Sequence, residues 1–113
     1  METWDDLHLK ERRLLEKEEI LELDMMQIKR VKESYEEHFC KAAYFMDSIG
    51  YAFHKNNNHF YFESARDEFS RESKKIMEHL EETERELEQN KRNVQRQIDD
   101  VSFEKRKCTL AEG

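Results

Sequence analysis

Two cysteines and five histidines are the side chains of this chain best suited to metal binding or nucleophilic chemistry. Cys40 and Cys108 lie on opposite sides of a turn-favouring cluster near Asn57, at very different distances from it. In a helical hairpin this difference places them about 50 Å apart along the axis. A disulfide tolerates no more than about 7 Å between α-carbons. We therefore predict two free, reduced thiols.

The histidines and carboxylates lack the spacing that a metal or catalytic site requires. Only His54 and His59 can approach each other, across the turn, and the sequence contains no CxxC or HExxH pattern that would supply further ligands. It also lacks the ExxH pairs of a di-iron bundle, a glycine-rich phosphate loop and a nucleophile constellation. We expect no metal, no cofactor, no catalytic residues and no enzymatic activity.

The composition indicates an all-α protein. Charged residues make up 42% of the 113-residue chain and hydrophobic residues 36%, which leaves little apolar material for a deep core. The chain has no proline and only two glycines, so it lacks most of the residues that tight turns and strand connections need. These features favour one domain of long helices.

The charge and hydropathy patterns argue against nucleic acid and membrane partners. A net charge of −7 opposes attraction to phosphates or anionic lipid, both of which require a concentrated basic face. No apolar run reaches the roughly 18 residues of a membrane span, and the acidic start lacks the regions of a signal peptide. We expect a cytoplasmic protein that does not insert into membranes.

Apolar residues recur every seven positions along the first half of the chain. One series contains Leu7, Leu14, Leu21, Ile28, Tyr35, Ala42 and Ile49, and the interleaved series contains Trp4, Met25, Phe39, Met46 and Phe53, with Glu11, Glu18 and Lys32 as exceptions. This spacing of about 3.5 residues is that of a coiled-coil seam. It predicts a first helix over about 5–54. Gly50 is interpreted as lying inside that helix, at a cost of about 1 kcal/mol.

A second long helix is predicted over about 60–108, after an asparagine-rich turn at about 55–59. Its apolar positions recur at spacings of three, four and seven: Phe62, Ala65, Phe69, Ile76, Leu80, Leu87, Val94, Ile98, Val101 and Cys108. The heptad also assigns polar residues to seam positions, namely Ser73, Thr83, Asn90 and Gln97. Such residues either fix register and partner choice or mark a loosely packed end.

Together these patterns predict an elongated, antiparallel two-helix hairpin of the coiled-coil type, about 70 Å long, that forms a single domain over 1–113.

One facing helix cannot cover all the aromatic side chains near the turn. We therefore expect the hairpin to complete a larger helical bundle with a partner; a local core made by these aromatics is the alternative. The predicted partner-binding residues, each also a candidate for the internal core, are Met25, Met26, Ile28, Phe45, Tyr51, Phe53, Phe60, Tyr61 and Phe62.

The order of motifs in the second half resembles a known family. An aromatic cluster at 59–62 is followed by Asp67-Glu68, by Leu80-Glu81-Glu82 through Leu87, and by a charged segment over 92–106. This order is similar to that of the second of two small helical targeting factors that accompany LXG toxins of the bacterial type VIIb secretion system. The related WXG100 proteins carry a WXG turn and a Tyr-x-x-x-Asp/Glu tail, and both are absent from this sequence.

The resemblance implies a non-enzymatic adaptor. In that role the chain would bind the helical N-terminal LXG domain of a cognate toxin, together with a second small helical WXG100-like protein. The assembly would then be guided to the export machinery, with the adaptor staying in the cytoplasm or leaving with its client. Two alternatives stay open: a self-associating coiled-coil protein that is a homodimer when alone, and an immunity protein that blocks the toxin's catalytic domain.

Overall fold

Two long α-helices make up most of the computed structural model, which describes residues 2–55 and 57–112, the last without its side chain. Helix α1 spans Trp4–Phe53 and helix α2 spans His59–Glu112, with 50 and 54 residues. Over the described ranges there is no strand and no residue with a positive φ angle. The all-α helical hairpin predicted from the heptad patterns is confirmed.

The helix ends lie close to the predicted ones. Helix α1 was expected over about 5–54 and includes Gly50, as interpreted from the sequence. Helix α2 was expected over about 60–108 and continues to Glu112. The asparagine-rich turn lies between the helices as expected, although Asn56 is outside the described residues.

Each helix begins with a local hydrogen-bond arrangement. At the start of α1, the Asp6 backbone N–H donates to Thr3 Oγ1 and the Thr3 N–H donates to Asp6 Oδ2, both at 3.2 Å. This reciprocal pair is a capping box. The bonds from Thr3 hold the pKa of the Asp6 carboxyl below its ordinary value. At the start of α2, the Phe62 N–H donates to the Asn58 carbonyl at 3.2 Å. The side chains of Thr3 and Asp6 therefore define where α1 starts.

The chain divides into two compact units. The terminal unit contains Met1–Gln27 and Glu84–Gly113, and the turn unit contains Ile28–Thr83. Each unit takes one segment from each helix, so each is an antiparallel helix pair. The prediction of a single domain over the whole chain stays a prediction.

In the terminal unit, Leu7 and Val94 form the most buried part of the interface between the helices, with 2% and 4% of their surface exposed. The predicted seam of α1 is confirmed here, because its positions from Trp4 to Met25 are all buried or half-buried. The charged exceptions Glu11 and Glu18 are half-buried as well. Apolar side chains of this kind stabilise a helix pair by removing surface from water.

In the turn unit, Leu80 is the most buried residue. The rings of Phe39 and Phe69 meet edge to face with centroids 6.0 Å apart, a favourable geometry for two aromatics. Two predicted seam residues of α1, Tyr35 and Phe53, are only partly covered, at 40% and 39% exposure. The turn unit therefore has a thinner core than the heptad pattern suggests.

The predicted seam of α2 is wrong at four positions, which are exposed: Ala65, Ile76, Asn90 and Gln97. Beside Asn90, Lys91 is half-buried instead, and beside Gln97 the predicted seam residue Ile98 is half-buried as expected. The lysine can occupy a seam position because its aliphatic stem covers apolar surface while its ammonium reaches Glu22, with the nitrogen and oxygen 3.4 Å apart. Ser73 and Thr83, the other polar residues assigned to the seam, are half-buried as predicted.

Candidate partner-binding surface

The aromatic residues near the turn divide into an inner and an outer group. In the inner group, the rings of Phe53 and Phe62 stack at a centroid distance of 6.3 Å and an interplanar angle of 10°. A Cβ atom at Gly50 would lie 2.8 Å from Phe62 Cε1. The missing side chain of Gly50 thus leaves room for the Phe62 ring between the helices. This is a small local core, the alternative considered from the sequence, but it uses only part of the aromatic set.

The outer group is defined here as the exposed aromatic set and contains five side chains with 63% to 81% of their surface exposed: Tyr44, Phe45, Tyr51, Phe60 and Tyr61. On α1, Tyr44 and Tyr51 are seven residues apart and so share one face of the helix. On α2, the rings of Phe60 and Tyr61 contact each other edge to face at 6.0 Å. Nothing within the described residues covers these side chains.

Polar groups fix the conformation around this set. His54 lies beside Tyr51, with the rings stacked at 5.5 Å and the histidine Nδ1 2.6 Å from the Tyr51 carbonyl oxygen. His59 Nε2 lies 2.9 Å from Glu63 Oε1 on the following turn of α2. The two histidines that the sequence placed near each other therefore have separate partners.

A shallow groove runs between the helices beside the turn. Its walls are formed by Asp47, Gly50, Tyr51, His54, His59, Phe62, Glu63 and Arg66. Arg66 and Asp47 join the two helices at its rim through an ion pair of 2.6 Å. Both partners are more than half exposed, so this pair contributes orientation more than stability. The groove is lined by both apolar and charged side chains, which suits contact with a side chain from another helix.

The structure separates the nine predicted partner-binding residues. Met26, Phe45, Tyr51, Phe60 and Tyr61 are exposed and available to a partner, whereas Met25, Ile28 and Phe62 are half-buried. Phe53 is also exposed, at 39%, although its ring stacks on Phe62. Sequence reasoning omitted Tyr44 from this group, although its position seven residues before Tyr51 and outside the seam was a usable signal.

A second polar cluster lies in the terminal unit. Lys105 Nζ donates to Glu11 Oε1 at 3.1 Å and to His8 Nδ1 at 3.0 Å, and Ser102 Oγ donates to Glu11 Oε2 at 3.0 Å. The same ammonium lies 4.6 Å from the centroid of the Trp4 ring. The hydrogen bonds from Lys105 and then Ser102 lower the pKa of the Glu11 carboxyl. This cluster joins the helices and shows no nucleophile or metal-ligand arrangement.

Other candidate chemistry is not supported by the described part of the chain. Cys40 and Cys108 are both free, as predicted. Among the described residues, no group of three or more histidine, cysteine or acidic side chains could hold a metal ion. Neither helix, within those residues, has a stretch long and apolar enough to cross a membrane.

The fold and the exposed aromatic set define an all-α helical hairpin protein with a candidate surface for protein contacts. Comparison with models of protein families shows which family the chain belongs to. The model of a family described as protein of unknown function (DUF3958) matches residues 2–108, so the chain belongs to the DUF3958 family. No curated protein gives a significant match, and no solved structure does.

Proposed function

We propose that this protein is a non-enzymatic adaptor that binds the helical N-terminal LXG domain of a cognate toxin and promotes its export by type VIIb secretion. A second small helical WXG100-like protein would join the same assembly. The sequence resemblance described above suggests the client, and the exposed aromatic set carries the argument for binding. The adaptor would meet its client in the cytoplasm before export.

The size of the exposed aromatic set supports a binding role. Tyrosine and phenylalanine each bury about 150–250 Å² when fully covered. At about 25 cal/mol per Å² of apolar surface, covering five such side chains would contribute on the order of 10 kcal/mol of favourable free energy, before the cost of association. Large exposed apolar side chains concentrated in one part of a protein mark contact sites for other proteins. Covering the exposed aromatic set would therefore supply much of the free energy of binding to a partner protein.

A helical client fits the local geometry. The groove beside the turn is lined by apolar and charged side chains of both helices, and Tyr51 of the exposed aromatic set is one of them. A groove of this kind can accept the apolar face of an amphipathic helix. In this mechanism Tyr51, Phe60 and Tyr61 supply most of the contact energy. The Asp47–Arg66 pair and Glu63 would set the orientation of the client. Binding would mask apolar surface on both proteins until export.

The test uses isothermal titration calorimetry of the full chain against a purified LXG N-terminal domain. Substituting Tyr51→Ala, Phe60→Ala and Tyr61→Ala together should weaken binding by at least about 100-fold, since buried interface aromatics commonly contribute about 2 kcal/mol each. A matched control replaces three exposed apolar residues of the terminal unit, Leu9→Ala, Ile20→Ala and Leu110→Ala. It should retain affinity within about threefold.

Two results would contradict the proposal. If the wild-type chain does not bind the LXG domain at all, the client assignment is wrong. If the aromatic variant binds as tightly as the wild type, the surface assignment is wrong. Because all three replaced aromatics are exposed, helicity and the melting temperature should stay close to the wild-type values, which separates lost binding from lost folding.

Self-association is a second candidate, favoured by apolar side chains exposed on α1 in the terminal unit. Leu9, Ile20 and Leu23 are 49% to 61% exposed there. Two hairpins pairing through such residues would form a four-helix bundle without a client. In that case the terminal-unit variant described as a control would dissociate the dimer.

A further inference from the structure

Three arginines lie in line on the outer face of α2 in the terminal unit. Arg85, Arg92 and Arg96 are exposed and are separated by seven and four residues, which places them on one face of the helix. Together with Glu88, Gln89 and Asn93 they line a shallow polar depression on the surface. The face opposite to them carries Leu87 and Val94 and packs against α1. The arginines therefore point away from the helix pair.

The same face becomes apolar towards the end of α2. Phe103 and Leu110 follow Arg96 at successive intervals of seven residues, and they are 53% and 80% exposed. Lys107 Nζ lies 4.6 Å from the centroid of the Phe103 ring. We define the arginine stripe as Arg85, Arg92, Arg96, Phe103 and Leu110. Its spacing of four and seven is that of a coiled-coil seam, although α1 packs on the other side of the helix.

The three arginines of the stripe differ from the inner lysines of α2, because they form no ion pair within the described part of the chain. Lys91 and Lys105, on the inner side of the same helix, form ion pairs with Glu22 and Glu11. No such ion pair involves the three arginines of the stripe. Glu88 borders the stripe without reaching an ion-pair distance to any of them. The guanidinium groups are free to bind carboxylates of another molecule.

We propose that the arginine stripe docks an amphipathic helix of a partner protein that carries glutamate or aspartate opposite the arginines and apolar residues opposite Phe103 and Leu110. Arginine binds carboxylates through two parallel hydrogen bonds, which gives both affinity and orientation. A partner helix repeats its side chains at the same intervals of four and seven, so one helix can meet all five positions. Phe103 and Leu110 favour a partner helix over a nucleic acid, because a phosphate backbone has no apolar side chain to cover them.

The arginine stripe lies in the terminal unit and shares no residue with the exposed aromatic set, which lies in the turn unit. The inference therefore does not depend on the toxin domain, and its test needs no toxin.

The test measures fluorescence anisotropy of a labelled helical probe peptide on titration with the full-length chain. One face of the probe carries three glutamates and two leucines at the intervals of the stripe, in either chain direction, with alanine and glutamine elsewhere. The chain should bind this probe, and affinity should fall as salt is raised, because exposed charge pairs are screened. A probe of the same composition in scrambled order should bind at least about tenfold more weakly.

Charge reversal provides the decisive variant. Replacing the three arginines by glutamate (R85E, R92E, R96E) should weaken binding of the acidic probe at least about tenfold and allow a probe with lysine in place of glutamate to bind. A control with the same change in net charge replaces three exposed basic residues of α1: R12E, K17E and K29E. The control should bind the acidic probe within about threefold of wild type. If the reversed variant loses helicity, the arginine-to-glutamine triple variant replaces it.

Three results would overturn the proposal. The first is absence of binding to the acidic probe, and the second is an equal loss of affinity in the control variant, which would indicate only a general charge effect. The third is tighter binding to a duplex RNA oligonucleotide than to the acidic probe, which would assign the stripe to a nucleic acid.

Discussion

Gly50 determines how closely Phe62 approaches α1 in the turn unit. The residue is inside a helix, where alanine would be more favourable by about 1 kcal/mol. The position has no positive φ that would explain a glycine. Its explanation is instead the space that the Phe62 ring occupies, 2.8 Å from where a Cβ would be. Glycine at this position allows the Phe62 ring of α2 to pack against the backbone of α1.

Gly50→Ala should lower the free energy of unfolding by about 1 kcal/mol, because displacing the half-buried ring costs about 1–3 kcal/mol and exceeds the gain in helix propensity. In a Phe62→Ala background the same substitution should raise the free energy of unfolding by about 1 kcal/mol. Urea denaturation of the four chains measures both changes. A stabilising effect in both backgrounds would show that the ring does not constrain Gly50.

Glu11 lies in a cluster of hydrogen bonds that joins the two helices of the terminal unit. Its side chain is only 18% exposed, and its carboxylate accepts hydrogen bonds from Lys105 and Ser102 across the helix pair of the terminal unit. Glu11→Gln should lower the free energy of unfolding at neutral pH by about 1–2 kcal/mol, since it removes a partly buried charged hydrogen-bond acceptor. Glu16→Gln, at an exposed position of the same helix, should change it by less than about 0.5 kcal/mol.

The effect of Glu11 depends on pH in a defined direction. Its pKa in the folded chain is lowered from an ordinary value of 4.5, so the folded state binds its proton less readily than the unfolded state. Its contribution to stability is therefore complete above about pH 4.5 and is lost as the pH falls through the folded pKa. The difference in the free energy of unfolding between wild type and Glu11→Gln should therefore shrink as the pH falls below about 4.5. Thermal or urea unfolding at several pH values measures this difference. A constant difference would contradict the assigned cause.

At the scale of the helices, the seam of α1 was predictable because its apolar residues repeat with few interruptions. The seam of α2 was not, since it contains Lys91 and Lys105, which resemble surface residues in sequence. Their burial depends on carboxylates from α1, at Glu22 and Glu11, and the sequence of α2 alone does not contain that information. The error at Asn90 and Gln97 therefore arose from pairing between helices, not from local propensity.

Ser73 allows a test of the polar seam of α2. Its Oγ is buried and, over the described residues, has no hydrogen-bond partner. Ser73→Ala should raise the free energy of unfolding by about 1–2 kcal/mol, because it removes an unsatisfied hydroxyl and favours the helix. Ser70→Ala, at an exposed position, should raise it by only about 0.5 kcal/mol. A destabilised chain, or one with a changed oligomeric state, would show instead that Ser73 specifies the register.

At the scale of the whole molecule, composition and periodicity were sufficient to predict an all-α protein of two helices. They did not distinguish which aromatics face inward. Phe62 fits inside because Gly50 lacks a side chain, whereas Tyr51 and Phe60, at similar distances from the turn, stay exposed. That distinction depends on how the helices face each other near the turn. The functional prediction came from the surplus of aromatic residues, and five of them are exposed.

The measurement that tests the adaptor proposal most directly is light scattering behind size exclusion, on the full chain alone and after co-expression with the helical N-terminal domain of an LXG toxin. The proposal predicts a stable complex with a mass of one copy of each protein, or of a ternary assembly when the second small helical protein is present. A tight homodimer whose mass does not change with the toxin domain would contradict it and would establish a self-contained coiled-coil protein.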